Sequence, residues 1–425
     1  MKYYIETFGC QLNKSDGERI ERKMKEMEYK KTLEIKKADL VIINMCSIRQ
    51  SAVDRVIGRK EKIKGKKSIL TGCIMQNDLK VFKKIFSHIF SIKSLNSWDK
   101  FFKKGIRFHY PNPLKKEEGI SYFKKEPLRE NNFSALIPIS SGCNNFCTYC
   151  VVPFVRGKEI SRSKKEIIDE AKKAVQEGAK EIWLLGQNVN SYNFRGFDFA
   201  DILKSVNEIK GDFWIRFTSP HPKDFSKKLI KTMKESEKVT EYLNLPLQSG
   251  NDRILKKMNR PYTTKRYINL VKEIKKNIPD IFLSTDIIVG FPEETKKEFQ
   301  DTLNLVKEIE FGMIYISKFS KRKGTLSEKM IPIQEKEKKK REKILTDLLK
   351  KISLKNNKKI PGKTLRVLVE KNKKDFYLGK TRRYRTVKFK SNKNLIGKFV
   401  TVKITKALSW GLEGKIINTQ PQRTV

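Results

Sequence analysis

Histidine is nearly absent from this sequence, cysteine is rare, and acids are outnumbered about two to one by bases. The 425 residues hold 3 His, 6 Cys, and 48 Asp plus Glu against 94 Lys plus Arg. So few cysteines exclude a disulfide-stapled scaffold, and a chain this long buries enough core without one. Long apolar runs are missing too. The opening MKYYIETFGC has no apolar leader segment. The one uncharged stretch long enough to span a bilayer runs from Asn131 to Val155. It carries Asn, Ser, Thr, Gly, Pro and three cysteines, so it is no lipid-facing helix. The expectation is a cytoplasmic protein in a reducing compartment, with no membrane partner.

What the chain has in excess is positive charge, a formal +46. Such a field attracts polyanions, of which nucleic acid is the default. The lysine run Lys336–Lys343 reads as a solvated helix face. Hydrophobic residues at 38% with regular apolar periodicity argue for a folded chain.

The chain divides into three series. In the first, short apolar runs at Tyr3–Phe8, Asp39–Asn44, Ser68–Thr71 and His88–Ile92 alternate with charged helical segments. One such helix is predicted to open at a capping box at Ser15 and run to about Tyr29. Strand–helix alternation means a parallel sheet with right-handed crossovers. Residues 105–130 read as a linker. In the second series, strands are expected at Ala135–Ile139, Glu181–Leu185, Phe213–Phe217, Tyr242–Leu247, Phe282–Val289 and Met313–Phe319. These are the units of a complete or partial (β/α) barrel. A long charged helix over 333–356 ends at Pro361-Gly362. Beyond it, short strands with turn residues predict a small antiparallel barrel or sandwich. From Ile360 onward, 17 Lys and Arg face 3 acids. The fold class is α/β with an added β-barrel. The expected domains are 1–108, 129–357 and 360–423.

The six cysteines form two sets. Cys143, Cys147 and Cys150 have the spacing C-x3-C-x2-C, just after the first strand of the barrel series. Three close thiolates can hold three irons of a cubane cluster and leave the fourth open. Structural zinc would need a fourth ligand, and His88, His109 and His221 all lie away from the motif. Cys10, Cys46 and Cys73 are dispersed, yet each follows a predicted strand. A parallel sheet brings its post-strand loops to one edge, so these three converge as well. The alternatives are zinc or a structural role for Cys143, Cys147 and Cys150, and three unrelated buried cysteines for Cys10, Cys46 and Cys73.

Cys143–Cys150 within a β/α series resembles the radical S-adenosylmethionine enzymes. Phe8-Gly-Cys10-Gln11, Asn44-Met-Cys46-Ser47, Gly72-Cys73, and Ser141-Gly142-Cys143-Asn144 through Val152-Pro-Phe-Val-Arg-Gly157 resemble their methylthiotransferase family. Leu245-Pro-Leu-Gln248-Ser-Gly250, Met258-Asn-Arg260 and Asp286-Ile-Ile-Val-Gly290-Phe-Pro292 continue the match over nearly the whole chain. The chain departs from the pattern at Met45, where Thr is usual, and at Glu293, where Gly is usual. The run Ser320–Thr325 replaces a more Pro-rich segment.

The resemblance implies an N-terminal cluster domain, a radical core and a C-terminal TRAM RNA-binding barrel. It implies two [4Fe–4S] clusters, one on each cysteine set. S-adenosylmethionine would serve both as radical source and as methyl donor. The implied reaction is methylthiolation of N(6)-(dimethylallyl)adenosine at position 37 of tRNA. Threonylcarbamoyl adenosine in tRNA and a ribosomal-protein aspartate are the alternatives within the family. An RNA-binding protein with purely structural clusters is the alternative outside it. The implied partners are the tRNA anticodon stem-loop and an electron donor such as flavodoxin or ferredoxin, acting on a monomer.

Further cofactor contacts are read from strand ends. Tyr149 faces adenine, cluster or core. Gly186, Gln187 and Asn188 follow the second barrel strand, and Ser219, Gln248 and Asp286 lie at or near later strand ends. Each has a plain alternative as a turn or a backbone partner. His221 reads as a satisfied loop histidine, and Arg156 and Arg162 as phosphate contacts or acid partners. The loop at Arg382, Arg383, Tyr384 and Arg385 mixes cations with aromatics, which suits phosphate contact and base stacking.

Overall fold

The computed structural model describes residues 1–48, 50–115 and 118–418. The N-terminal sheet is entirely parallel, in the order β2-β1-β3-β4-β5-β6. Its strands are β1 (Lys2–Thr7), β2 (Lys30–Lys31), β3 (Leu40–Met45), β4 (Lys67–Gly72), β5 (His88–Phe90) and β6 (Phe108–His109). β3 is buried at every position, as a central parallel strand covered on both faces must be.

Helix α1 (Gln11–Glu26) starts earlier than the capping pattern at Ser15 predicts. Gly9, at φ +119, turns the chain directly into the helix, and Cys10 becomes its N-cap. Ser15 is instead buried mid-helix, where its hydroxyl donates to Leu136 O across 3.0 Å. That bond belongs to the seating of α1 on the next unit. Arg19, fully buried, reaches Glu170 there at 2.7 Å.

The predicted linker over 105–130 is a packed strap instead. It supplies β6, and it buries Tyr122 and Phe123 completely. The Tyr122 hydroxyl donates to Asp16 Oδ1 at 3.2 Å, and the Tyr110 hydroxyl donates to Gly72 O at 2.9 Å. Scattered aromatics with no period gave the sequence reading nothing to find. Lys116 and Glu117 of this segment lie outside the described residues.

All six expected barrel strands are present, at Ser134–Pro138, Glu181–Leu185, Trp214–Phe217, Tyr242–Asn244, Phe282–Val289 and Met313–Lys318. They form two three-stranded parallel halves. The halves meet at a single bridge, Ile215 to Val239. Helices such as Lys164–Gln176 and Lys296–Ile309 bury apolar faces against the outer surface. The result is a partial barrel, open on one side, with α1 of the N-terminal unit seated against its first strand. Helix Glu335–Asn357 leads out to a closed five-stranded barrel built from Thr364–Lys373, Phe376–Thr381, Thr386–Phe389, Phe399–Leu408 and Gly411–Asn418. Residues 419–423 of the expected third domain lie outside the described residues. Among the described residues no helix is long and apolar enough to cross a membrane.

Candidate functional site

Cys10, Cys46 and Cys73 lie at the carboxyl edge of the N-terminal sheet, past β1, β3 and β4. They converge around Asn13. Its Oδ1 lies 3.5 Å from Cys10 Sγ and 3.8 Å from Cys73 Sγ. Its Nδ2 donates to Phe8 O at 3.1 Å and to Met45 O at 2.8 Å. Two glycines permit this closeness. A Cβ on Gly9 would stand 2.7 Å from Cys46 Cβ, and one on Gly72, at φ +93, would stand 2.4 Å from Asn44 Oδ1. Met45 contributes its backbone here, and its side chain is core, so the usual Thr is not needed at that position.

The second set lies on the loop after the first barrel strand. Each of its thiols has an N–H aimed at it. Asn145 Nδ2 lies 3.5 Å from Cys143 Sγ, Arg260 Nη1 3.6 Å from Cys147 Sγ, and Val152 N 3.4 Å from Cys150 Sγ. Cys73 has such a donor as well, Arg156 Nε at 3.2 Å. Burial pushes the Cys150 thiol up to about 12, and the neighbouring Cys147 adds to the shift. Burial likewise pushes Cys73 up to about 12. Arg156 opposes that shift, and Cys46 and Cys10 add to it.

Buried thiols that resist ionisation, ringed by donors suited to thiolates, fit a cationic centre that replaces their protons. Among the described residues no group of three His, Cys, Asp or Glu side chains stands placed to hold a metal ion. A cubane gives each cysteine its own iron, so it does not draw the three sulfurs onto one ion. The donor set therefore fits iron–sulfur clusters.

The two sets are neighbours. Cys73 and Met75 pack in one apolar cluster with Val151 and Val155, one and five residues past Cys150. Arg156 belongs to the short helix Val152–Arg156 of the second loop, yet it bonds to the first set. Sequence reasoning weighed Arg156 only as a phosphate contact or an ion-pair partner. The structure buries it against Asp16 at 2.6 Å. Asn13 and Asp16 were missed. Their one signal was their i, i+3 spacing on a helix that begins at a cysteine. Arg162 is likewise buried, against Glu170 at 2.7 Å.

The strand-end residues gather at the barrel mouth. Gln187 Oε1 accepts from Gly142 N at 2.8 Å, so this side chain holds the cysteine loop itself. A Cβ on Gly186 would meet Ser140 Oγ at 2.9 Å. Asn188 Nδ2 donates to Asp224 at 2.7 Å, while its buried Oδ1 has no partner. Ser219 and Gln248 hold φ of +55 and +72, a region side chains usually avoid. Gln248 N donates to Asp286 O at 2.8 Å, and the Asp286 carboxylate accepts from Asn244 Nδ2 at 2.9 Å. Beside the loop opens a cleft of about 310 Å³ lined by Asn144, Asn145, Glu159, Asn188, Ser191 and Lys223, among others.

Tyr149 packs with Ile254, Met258, Phe291 and Phe319, the core alternative for that residue. His221 is buried and neutral. Burial, Arg260 and Lys223 push it down to about 2. Glu293 holds φ +62, and its carboxylate pairs with Lys257. A side chain thus occupies the left-handed conformation that suits the usual glycine.

The arginine loop of the last domain lies against the barrel. Arg382 makes a two-oxygen contact with Glu241 at 2.8 and 3.0 Å, Arg383 pairs with Asp280 at 2.6 Å, and Arg385 donates to Asn357 at 3.0 Å. Tyr384 rests on Tyr242 and Trp183, with ring centroids 4.5 and 5.4 Å away. Its ring also faces the guanidinium of Arg216 at 4.9 Å. These four residues clasp the last domain to the barrel, with the Arg383–Asp280 pair exposed to solvent. Their spacing looked like an RNA surface because cations interleaved with aromatics serve either purpose.

A six-stranded partial (β/α) barrel with C-x3-C-x2-C at its mouth defines a radical S-adenosylmethionine enzyme. The chain matches the Radical SAM superfamily over residues 137–306, the Uncharacterized protein family UPF0004 over 2–92 and the TRAM domain over 358–417. It is 42% identical to the tRNA-2-methylthio-N(6)-dimethylallyladenosine synthase of Clostridium botulinum (strain Loch Maree / Type A3), covering 98% of this chain and 97% of that protein. It is 40% identical to the protein of the same name from Acetivibrio thermocellus, covering 98% and 91%. The chain therefore belongs to the tRNA-2-methylthio-N(6)-dimethylallyladenosine synthase family.

Among solved structures, the radical S-adenosylmethionine methyltransferase TsrM from Kitasatospora setae aligns with a TM-score of 0.54 at 10% identity, covering 74% of this chain and 72% of that one. The cobalamin-dependent S-adenosylmethionine radical enzyme OxsB aligns at 0.51 and 12% identity, covering 83% and 56%. At these identities they speak for the fold alone. The cofactors of this chain are S-adenosylmethionine and [4Fe–4S] clusters.

Proposed function

We propose that this chain is a radical enzyme that methylthiolates N(6)-dimethylallyladenosine next to the anticodon of tRNA. The observation that carries the reading is the shared apolar wall of Cys73, Val151 and Val155. It sets a sulfur-carrying centre beside a radical-generating one, in a chain alike over 98% of its length to synthases of that name. No amino-acid side chain can abstract hydrogen from an unactivated C–H bond, so the chemistry must come from cofactors. When bound, the cluster on Cys143, Cys147 and Cys150 supplies the electron that cleaves S-adenosylmethionine, and the cluster on Cys10, Cys46 and Cys73 supplies the sulfur to be methylated and transferred.

The protein's own work is placement. Gln187 fixes the cysteine loop through Gly142 N. Asn188, Ser219, Gln248 and Asp286 ring the mouth and offer polar atoms to the methionine and ribose parts of S-adenosylmethionine. Neutral His221 takes no part as a base. The working units follow as 1–108 for the sulfur centre, 129–357 for the radical and 360–423 for RNA. With the arginine loop clasped, RNA contacts fall to exposed barrel lysines such as Lys371, Lys403, Lys406 and Lys415. The enzyme acts as a cytoplasmic monomer that draws electrons from a flavodoxin or ferredoxin.

The test is direct. Anaerobically reduced protein with tRNA bearing dimethylallyladenosine should convert that nucleoside to its methylthio form, read by nucleoside mass spectrometry. Conversion only of threonylcarbamoyl adenosine would overturn the substrate assignment. Failure to cleave S-adenosylmethionine with both clusters present would overturn the reaction.

A further inference from the structure

Arg156 is an unusual side chain for its place. It is about 3% exposed, and its Asp16 partner is fully buried. Nη2 donates to Asp16 Oδ2 at 2.6 Å and to Asn13 Oδ1 at 3.1 Å. Nε donates to Cys73 Sγ at 3.2 Å. Nη1 is buried and has no partner. A buried donor left without an acceptor is costly, so such an atom points to a partner that the side chain is placed to meet. The guanidinium comes from the radical loop, six residues after Cys150 on the short helix Val152–Arg156. Its donors are spent on the other cysteine set.

We propose that Arg156 is a positioning residue for the cluster on Cys10, Cys46 and Cys73, donating through Nε to the Cys73 sulfur and through Nη1 to a sulfur of that cluster. N–H donors and positive charge near cluster sulfur favour the reduced, more negative state. Arg156 therefore raises the reduction potential of the sulfur centre. Asp16 tempers that effect, since it neutralises much of the charge and leaves the donors in place. The radical loop thus holds, in one side chain, both the spacing between the centres and the electron affinity of the neighbour.

The inference rests on the two-cluster reading above, and the test separates the two. Full-length protein with Cys143, Cys147 and Cys150 changed to Ala isolates the sulfur centre. Iron content comes first: absence of about four irons from this parent overturns the two-cluster reading. With the cluster present, its midpoint is followed by electron paramagnetic resonance during redox titration. Arg156→Gln should lower the equilibrium constant for one-electron reduction at least tenfold, a fall of about 59 mV. Asp16→Asn should raise the midpoint, and Arg156→Lys should restore part of the Gln loss. A merely structural role would move Arg156→Gln and Asp16→Asn the same way. Shifts of the same sign, or none, overturn the proposal. Should Arg156→Gln lose its iron, Asp16→Asn decides alone, and an unmoved or lowered midpoint there overturns it.

Discussion

Removal of the Arg216 guanidinium should loosen the last domain from the barrel. Arg216 is 0% exposed and its partner Glu181 4%, with Nε to Oε1 at 2.6 Å. The same guanidinium donates to Thr240 Oγ1 at 3.0 Å and to the backbone oxygens of Arg382 at 2.8 Å and Thr381 at 2.9 Å. Arg216→Met keeps the length and apolar stem but deletes every donor. Glu181 keeps Trp183 Nε1 at 2.6 Å and Ser134 Oγ at 3.3 Å but loses its ion-pair partner, and only the more distant charge of Lys380 still opposes its own. Breaking a buried pair in this way costs about 3–5 kcal/mol, a large part of a typical stability of about 5–15 kcal/mol.

The loss should concentrate at the clasp, where Trp183 and Trp214 report it through their fluorescence. Arg216→Met should lower the urea midpoint of that signal and speed proteolytic release of the last domain. Adding Glu181→Gln should recover much of the loss, because the stranded charge is gone. A loss below about 1 kcal/mol, the scale of an exposed pair, would refute the reasoning. So would a double variant no better than the single one.

Reconstituted protein should carry about eight irons, falling to about four when Cys143, Cys147 and Cys150 become Ala; iron and sulfide assays check this. Burial pushes the Glu18 carboxyl up to about 7, Arg19 and Arg129 oppose the shift, and its Oε2 has no partner. Its folded pKa thus lies above its unfolded one, so its contribution is full below about 4.5 and is lost as pH rises through 7. Glu18→Gln should therefore stabilise the protein at pH 8 by an amount on the order of 3 kcal/mol and leave pH 4 nearly unchanged, as thermal melts would show. Changing Arg382, Arg383 and Arg385 to Ala should loosen the clasp while leaving the salt slope of tRNA binding within one phosphate contact, about 0.7–0.9, of the parent. A slope flattened by two or more would return this loop to the RNA surface.

The strands were legible because their apolar runs are short, dense and regularly spaced, as at Leu40–Met45. The convergence of Cys10, Cys46 and Cys73 was legible for a topological reason: a parallel sheet has one carboxyl edge. What escaped was everything set by pairing across long separations. Ser15 carries a capping signature, yet its hydroxyl serves Leu136. Arg156 lies 140 residues from Asp16, and Arg216 lies 166 from Arg382. No local pattern encodes such partners, and charge counts cannot tell a buried guanidinium from one that awaits phosphate.

The barrel's two halves touch through the bridge at Ile215 and Val239, and the arginine loop spans that joint. Arg216 on one half grips its backbone, while Arg382 grips Glu241 and the carbonyl of Val239 on the other. The order of synthesis gives this a consequence. The radical unit is synthesised before the arginine loop that clamps its joint. A chain still lacking the last domain would hold both cysteine sets in a barrel joined by its own bridge and shared apolar core, but without this outer clamp. The last domain thus adds its grip across that joint only after both cysteine sets have been made.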